Sequence, residues 1–485
     1  MNGIQPPRVL RPAALGGVLS WRSGIPAGAA VGLAIGVLLF VAGPALTVAV
    51  VAILAYAWVL FKAPEFAILL LLVFTSGLLP GEFNPSYDLL VGHFQLADLI
   101  LISLLAIIAV RLLVERDFRF RAGHLSLPLV LFFLTVVGGM ITAIVQHGVP
   151  FRYTTYEARI LLYYSAFFAA ANLIRTPRQA RRLVAGIFVI GVVVAARIVV
   201  EIGLGYTIST VLPVYLKADL LARPYHPGFI AIYMTIMALI CSLAFDLRPR
   251  WKIAVWAAIL LLAAANIISL GRNIIVSSVL AFLALLYALS AGQRRTWLKA
   301  MLVLLILAVG LYGILQLLSP TTSVLAYSRA LAQRLSHFFS AGPLSPEETL
   351  LWRVREATYA RQQLTQSVLL GIGPSVSYRP AFSETDTMQQ FIHNGYLWLW
   401  LKTGLLGLVT FLWFLIAFLR DGFRKWAEVQ DTLLRAAAIG FTLVILALMF
   451  SNLVAPLFVE NFNLAFLAAG MGVVEAVFAL ERETS

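Results

Sequence analysis

Cysteine is almost missing from this chain: Cys241 stands alone inside an apolar run. A single thiol excludes an internal disulfide and a cysteine metal cluster, and leaves Cys241 as a small packing residue. Charge is scarce too. Only 12% of the 485 residues are charged, against 61% hydrophobic, whereas soluble domains carry roughly a quarter charged positions. The bilayer is therefore the expected solvent. Acidic residues are outnumbered 22 to 36, for a net charge of +14. A nucleic-acid reader would gather that excess on one exposed face with aromatics for stacking. Here the bases fall in short bursts between apolar runs, the pattern that orients membrane helices, so no nucleic acid is expected as a partner. The chain also lacks an internal repeat, a Walker loop, His-Glu-x-x-His and Gly-x-Ser-x-Gly, and with them the signatures of phosphate-loop hydrolases, zinc proteases and serine hydrolases.

What is present is a row of apolar runs, each long enough for one bilayer crossing. They lie near 25–42, 44–61, 64–80, 95–114, 126–145, 157–173, 182–203, 227–246, 252–269, 273–291, 297–317, 394–419, 433–455 and 457–479. The predicted fold is all-α: a polytopic transmembrane helix bundle of about fourteen helices, range about 12–14, forming a single integral membrane domain over 1–485. Arg8, Arg11 and Trp21-Arg22 precede the first run as they would in a signal peptide. Pro44 would follow any cleavage after Gly43, so the run reads as an uncleaved first helix.

Lys and Arg alternate along the connections as the positive-inside rule requires. Twenty-three fall on one side, among them Lys62, Arg121, Arg182, Lys252, Arg294 and Lys425; the short connections of the other side hold only Arg152, Lys217, Arg223 and Arg272. The count places both termini in the cytoplasm and the long segment 318–393 outside. Loops of that length in a compact protein usually carry function. Ser345-Pro346-Glu347-Glu348 reads as a capping box with proline at the first helical position. The helix it starts runs to about Leu364, with Leu351, Val354 and Thr358 near one stripe and Arg353, Arg355, Glu356 and Arg361 on other faces. With Trp352 and Tyr359 it is suited to lie along the membrane surface. Leu370-Gly371-Ile372-Gly373-Pro374 then breaks it, and Glu384 and Asp386 form a weak acid pair for which a solvated loop is the plainer reading.

Five histidines, His93, His147, His226, His337 and His393, fall outside by this topology, and only His124 inside. Three external connections place a basic or imidazole group just before an inward-running helix: Arg223-Pro224-Tyr225-His226-Pro227, Gly271-Arg272-Asn273 and His393-Asn394-Gly395-Tyr396. Asn273 and Asn394 are suited to cap their helices. The outward N-terminus of such a helix favours anions, and a guanidinium beside it suits phosphate or pyrophosphate. Arg159, near the outer end of another inward helix, is a further phosphate candidate. Plainer readings exist for each: Arg272 as a headgroup anchor, Arg223 as a loop anchor, His393 as part of an aromatic belt with Tyr396, Trp398 and Trp400. Arg197 and Glu201, one turn apart, read as a structural ion pair.

Leu369-Leu370-Gly371-Ile372-Gly373, then His393-Asn394-Gly395-Tyr396-Leu397, then Gly404-Leu405-Leu406-Gly407 resemble, as a set, the signature of the bacterial O-antigen ligase and polymerase superfamily. The Trp352 helix and the Gly271-Arg272 turn fit the same layout, and the resemblance spans roughly 220–420. It implies transfer of a glycan, outside the cytoplasmic (inner) membrane, from an undecaprenyl-pyrophosphate-linked donor to a glycan or lipid A-core acceptor, with no cofactor and no metal. It implies that Arg223 and Arg272 match the family's external arginines and His393 its loop histidine. Pro224 and His226-Pro227 depart from the pattern around Arg223, and Lys402 stands where the family often has an acid. The mechanism expected is inverting transfer with Arg223 and Arg272 on the pyrophosphate, His393 as base, and 318–393 as a lid. Arg159, His226, Asn394, Tyr396, Arg353 and Arg361 are the expected substrate contacts. Ligase and polymerase activities fit the resemblance nearly alike, with the count of crossings favouring a general ligase/polymerase assignment, and a protein O-glycosyltransferase is the third reading within the family. A transporter or flippase of lipid-linked glycan is the reading from another class, though the polar residues cluster at outer ends rather than at mid-membrane.

Overall fold

A computed structural model describes residues 43–44, 47–79, 86–89, 92–121, 123–204, 212–215, 222–245, 249–269, 272–318, 348–381 and 388–484. The run expected at 25–42, His337, the Ser345 capping box and the Glu384–Asp386 pair lie outside these residues. The chain divides into two compact units, Met1–Lys62 and Ala63–Ser485. In the first, one short apolar helix, α1 (Thr47–Lys62), is described.

The second unit is a helical bundle. Its helices are α2 (Pro64–Thr75), α3 (Leu96–Val114), α4 (Ser126–His147), α5 (Phe151–Leu162), α6 (Ala166–Leu173), α7 (Pro177–Leu204), α8 (Phe229–Ser242), α9 (Pro249–Ser269), α10 (Arg272–Ala288), α11 (Ala291–Leu318), α12 (Glu348–Leu364), α13 (Gly395–Lys425), α14 (Thr432–Ser451) and α15 (Asn461–Thr484). Two antiparallel hairpins sit in connections: β1 (Ser86–Leu89) with β2 (Gly92–Gln95), and β3 (Leu212–Tyr215) with β4 (Ala222–Tyr225). Among the described residues, seven helices are long and apolar enough to cross a membrane. They make this a polytopic helical membrane protein.

Local chemistry explains many of the ends. Pro64 opens α2 at a position where its missing N–H costs nothing. Asp98 accepts from the Gln95 N–H at 2.6 Å to start α3, and Asp431 accepts from Leu434 N–H at 2.9 Å to start α14. Gly148, with φ of 64°, closes α4 in the left-handed region.

Four expected crossings are shaped differently, one of them the run at 157–173, which is divided between α5 and α6 by a 3₁₀ turn at Tyr163–Ser165. The run at 64–80 holds only the 12-residue α2, because Ser76 and Gly77 turn the chain. The runs at 433–455 and 457–479 become α14, ending at Ser451, and α15, starting at Asn461. Pro456 and the caps around it break a stretch whose apolarity is continuous.

α15 is the central pillar: its whole hydrophobic window is buried within the protein. Lipid is as apolar as leucine, so a helix is buried in a membrane bundle by close backbone approach between small residues. Ala465, Ala468, Ala469, Gly472 and Ala476 supply it. A Cβ on Gly472 would stand 2.5 Å from the Phe167 carbonyl of α6.

Ion pairs gather at two opposite ends of this unit. At one lie Arg182–Glu65 (2.9 Å), Arg121–Glu483 (2.8 Å), Arg181–Asp431 (2.6 Å) and His124–Asp421 (3.3 Å). At the other lie Arg159–Asp98 (2.7 Å), the predicted Arg197–Glu201 pair (2.6 Å), Lys402–Glu157 (3.6 Å) and His393–Glu356 (3.0 Å). Each pair joins segments that the charge alternation assigns to one side.

Candidate functional site

The site grows from the N-terminus of α13. The side-chain oxygen of Asn394 accepts from the Tyr396 and Leu397 N–H groups, both at 3.0 Å, so Asn394 caps the helix. Gly395 N–H donates to the Asn452 carbonyl at 2.9 Å, and Tyr396 Oη donates to the Met449 carbonyl at 2.6 Å. These bonds fix the start of α13 against the end of α14.

α13 is broken at Gly404, whose φ of 74° and ψ of 177° lie outside the helical region. The break releases backbone groups that hydrocarbon cannot satisfy. The Leu369–Gly373 segment satisfies them: Leu405 N–H reaches the Val368 carbonyl (3.0 Å), Leu406 N–H the Leu369 carbonyl (3.4 Å), and the Leu401 carbonyl accepts from Ile372 N–H (2.8 Å). Trp400 Nε1 also donates to Val368 (3.0 Å). A Cβ at Gly404 would stand 2.0 Å from the Leu369 carbonyl, so only glycine fits. Two motifs separated in sequence are thus one structural joint.

A second fastening lies beside it. Lys402 is fully buried; its Nζ donates to the Val376 carbonyl at 2.8 Å and stands 3.6 Å from the Glu157 carboxylate of α5. That carboxylate also accepts from Ser375 N–H. Ser375 has φ of 60°, unusual for a residue with a side chain, and its Oγ donates to the Tyr153 carbonyl at 2.6 Å. The lysine that departs from the family pattern therefore pins the segment leading to His393.

His393 ends that segment. Its Nδ1 lies 3.0 Å from both carboxylate oxygens of Glu356, and its backbone N–H donates to Glu356 at 3.1 Å. Its ring meets Phe391 edge-on, with centroids 5.1 Å apart. Glu356 is 4% exposed, on the face of α12 that also buries Ala360 and Leu364. The opposite stripe, Leu351 and Val354, is exposed, as a helix lying on a membrane surface requires. A carboxylate on Nδ1 fixes that nitrogen as the donor in the neutral ring, which leaves Nε2 with a lone pair.

Arg272 opens α10. The next residue, Asn273, presents its carbonyl to Ser451 Oγ at 3.3 Å, and Ser277 and Ser451 share a hydrogen bond of 2.7 Å. Ser451 precedes Asn452, the partner of Gly395. The backbone starts of α10 and α13 are thus each fastened to the end of α14. Arg223 sits on β4 opposite Val214, on a strand packed against α9. The side chains of Arg223 and Arg272 lie outside the described part of the structure.

The remaining predicted contacts are dispersed. Arg159 gives Nη1 to Asp98, whose other oxygen accepts from Tyr163 Oη at 2.9 Å, so its charge is matched internally. His226 is buried; its Nδ1 accepts from Gly228 N–H at 3.0 Å. Burial, aided by nearby Arg197, lowers its pKa to about 4. Arg353 is half-buried and Arg361 exposed, both on α12. Sequence reasoning passed over Asp98, Glu157 and the roles of Glu356 and Lys402. Asp98 carries a signal, as the third residue of a cap after Gln95; the others depend on partners distant in sequence.

A membrane-embedded bundle with a carboxylate-held histidine and two helix starts fastened to the end of α14 is the class of protein defined here. Residues 257–412 match the family model described as O-antigen ligase, and that stretch supports the resemblance to the O-antigen ligase superfamily. No curated protein matches the chain. The family assigns it to glycosyl transfer in O-antigen or polysaccharide assembly at a membrane. Arg272, Arg353, Arg361, His393, Asn394 and Tyr396 fall inside the matched stretch; Arg159, Arg223 and His226 fall before it.

Proposed function

We propose that the protein transfers a glycan from an undecaprenyl-pyrophosphate carrier to an acceptor hydroxyl, inverting the anomeric carbon and using no metal, at the outer face of the bacterial cytoplasmic membrane. The observation that carries this reading is the His393–Glu356 pair. With Nδ1–H directed at Glu356, Nε2 takes the proton of the acceptor hydroxyl as its oxygen attacks the anomeric carbon. The bond from that carbon to the pyrophosphate breaks, and the electron pair leaves with undecaprenyl pyrophosphate. The charge developing there is met by Arg223, by Arg272 and by the N-termini of α10 and α13.

The whole chain acts as one integral membrane domain, with segment 318–393 as the external lid that shapes the acceptor subsite. The alternation of basic residues supports this sidedness, with both termini in the cytoplasm. The acceptor is a glycan or lipid A-core hydroxyl. The test is incubation of the purified protein with a lipid-linked oligosaccharide and an acceptor. Release of undecaprenyl pyrophosphate, lost in His393→Ala, is expected. Movement of intact donor across vesicles without release would replace transfer with transport.

A further inference from the structure

The end of the bundle opposite His393 is electrically uneven. Around α2, α7 and α15 four bases have an acid: Arg182 with Glu65, Arg181 with Asp431, Arg121 with Glu483 and Arg482 with Glu475. Around α9 and α11 acids are scarce, and the nearest in sequence, Asp246, lies outside the described residues. No Asp or Glu occurs from residue 247 to 346, and among the described residues Arg250, Lys252, Arg294, Arg295 and Lys299 have no carboxylate partner. Arg294 turns to the Leu289 carbonyl (3.3 Å), and Arg250 lies over Trp251.

One of these unmatched cations, Lys252, lines a crevice of about 470 Å³ between the ends of α8, α9 and α11, together with Leu243, Phe245, Trp256, Gln293 and Thr296 among others. Its wall is two-natured: a cation, an amide and a hydroxyl at the rim, and aliphatic and aromatic side chains within. Trp297, buried and donating Nε1 to the Ile240 carbonyl at 3.2 Å, ties α11 to α8 beside it. Beyond it, Leu302, Leu305, Ile306 and Val309 of α11 are exposed and offer a path for an acyl chain.

We propose that this crevice binds an anionic glycerophospholipid, its phosphate at Lys252, Gln293 and Thr296 and one chain descending along α11. Basic pockets between transmembrane helices have this affinity because a phosphate satisfies cations that no protein carboxylate reaches. The site is remote from His393 and independent of the transfer reaction.

The test is native mass spectrometry of the full-length protein in detergent, titrated with dioleoyl phosphatidylglycerol, with dioleoyl phosphatidylcholine and with inorganic phosphate. Phosphatidylglycerol is expected to bind tighter than phosphatidylcholine, by about fivefold per cation engaged. Lys252→Ala should remove about one such factor, and Thr296→Trp, which fills the crevice, should abolish the preference. Arg181→Ala, at the opposite side of the same end, should leave it unchanged. Equal retention of the two lipids, displacement by inorganic phosphate, indifference to both crevice variants, or an equal loss in Arg181→Ala would overturn the proposal.

Discussion

Glu356 and His393 are separated by 37 residues of sequence, yet the carboxylate lies 3.0 Å from the imidazole Nδ1 and also accepts the histidine's own N–H. The acid does two things at once: it selects the ring tautomer and it fixes the backbone on which the ring turns. Glu356→Gln keeps a partner for the ring but loses the charge that stabilises imidazolium. Turnover should fall by roughly 10²- to 10⁴-fold with little change in donor KM. Steady-state release of undecaprenyl pyrophosphate measures it; an unchanged kcat would remove Glu356 from the mechanism.

His226 makes a prediction about acidity. Its folded pKa of about 4 is below the ordinary 6.5, so between those values the unfolded chain binds the extra proton. Stability from this residue is complete above about pH 6.5 and declines as pH falls towards 4, by on the order of 3 kcal/mol. His226→Asn retains an acceptor for Gly228 N–H without titrating. Melting curves in detergent from pH 7 to 4 should flatten in that variant.

Lys402 and Glu157 should behave as a coupled pair. Losing one partner strands the other charge in a buried site, at a cost of about 3–5 kcal/mol, whereas replacing both by apolar residues costs far less. Lys402→Met and Glu157→Met each lower the melting temperature, and the double variant recovers part of the loss. Additive losses in that double-mutant cycle would show that the two do not interact.

Gly404→Ala should be severe. Its methyl group would overlap the Leu369 carbonyl in a backbone conformation unfavourable to alanine, costing on the order of 3 kcal/mol. Limited proteolysis should then open the chain near 366–380, a segment held in the native protein by its hydrogen bonds to α13.

Sidedness can be read by labelling. Cys241 is buried and is the sole cysteine, so a Cys241→Ala background is clean. Impermeant maleimide on intact cells should label His337→Cys and spare Arg294→Cys; the reverse pattern would invert the topology.

Much of the bundle was legible because bilayer thickness sets helix length, and apolar runs show it directly. Thirteen expected crossings have helices within the described residues. The break at Pro456 was legible, but the length of the Ser451–Asn461 turn was hidden because Leu453, Val454, Leu457 and Phe458 keep it as apolar as its flanks. The hairpins at 86–95 and 212–225 were missed because their strands are only four residues long. At the site, His393 and the Asn394 cap announced themselves locally, whereas Asn273, expected to cap α10, stands inside that helix, which starts at Arg272. Glu356 did not: on α12 it looked like one more solvated charge, and its burial is decided by His393.

The graft of Val368–Ile372 into the gap of α13 restricts what evolution and engineering can exchange. Those residues complete a membrane helix, so they belong to the scaffold although they are spelled within the loop. Swaps between relatives confined to 380–392 leave this joint and the Ser375–Val376 fastening untouched. A splice placed at 368–373 would dismantle a transmembrane segment, and the chimera would fail at assembly before any substrate preference could be compared.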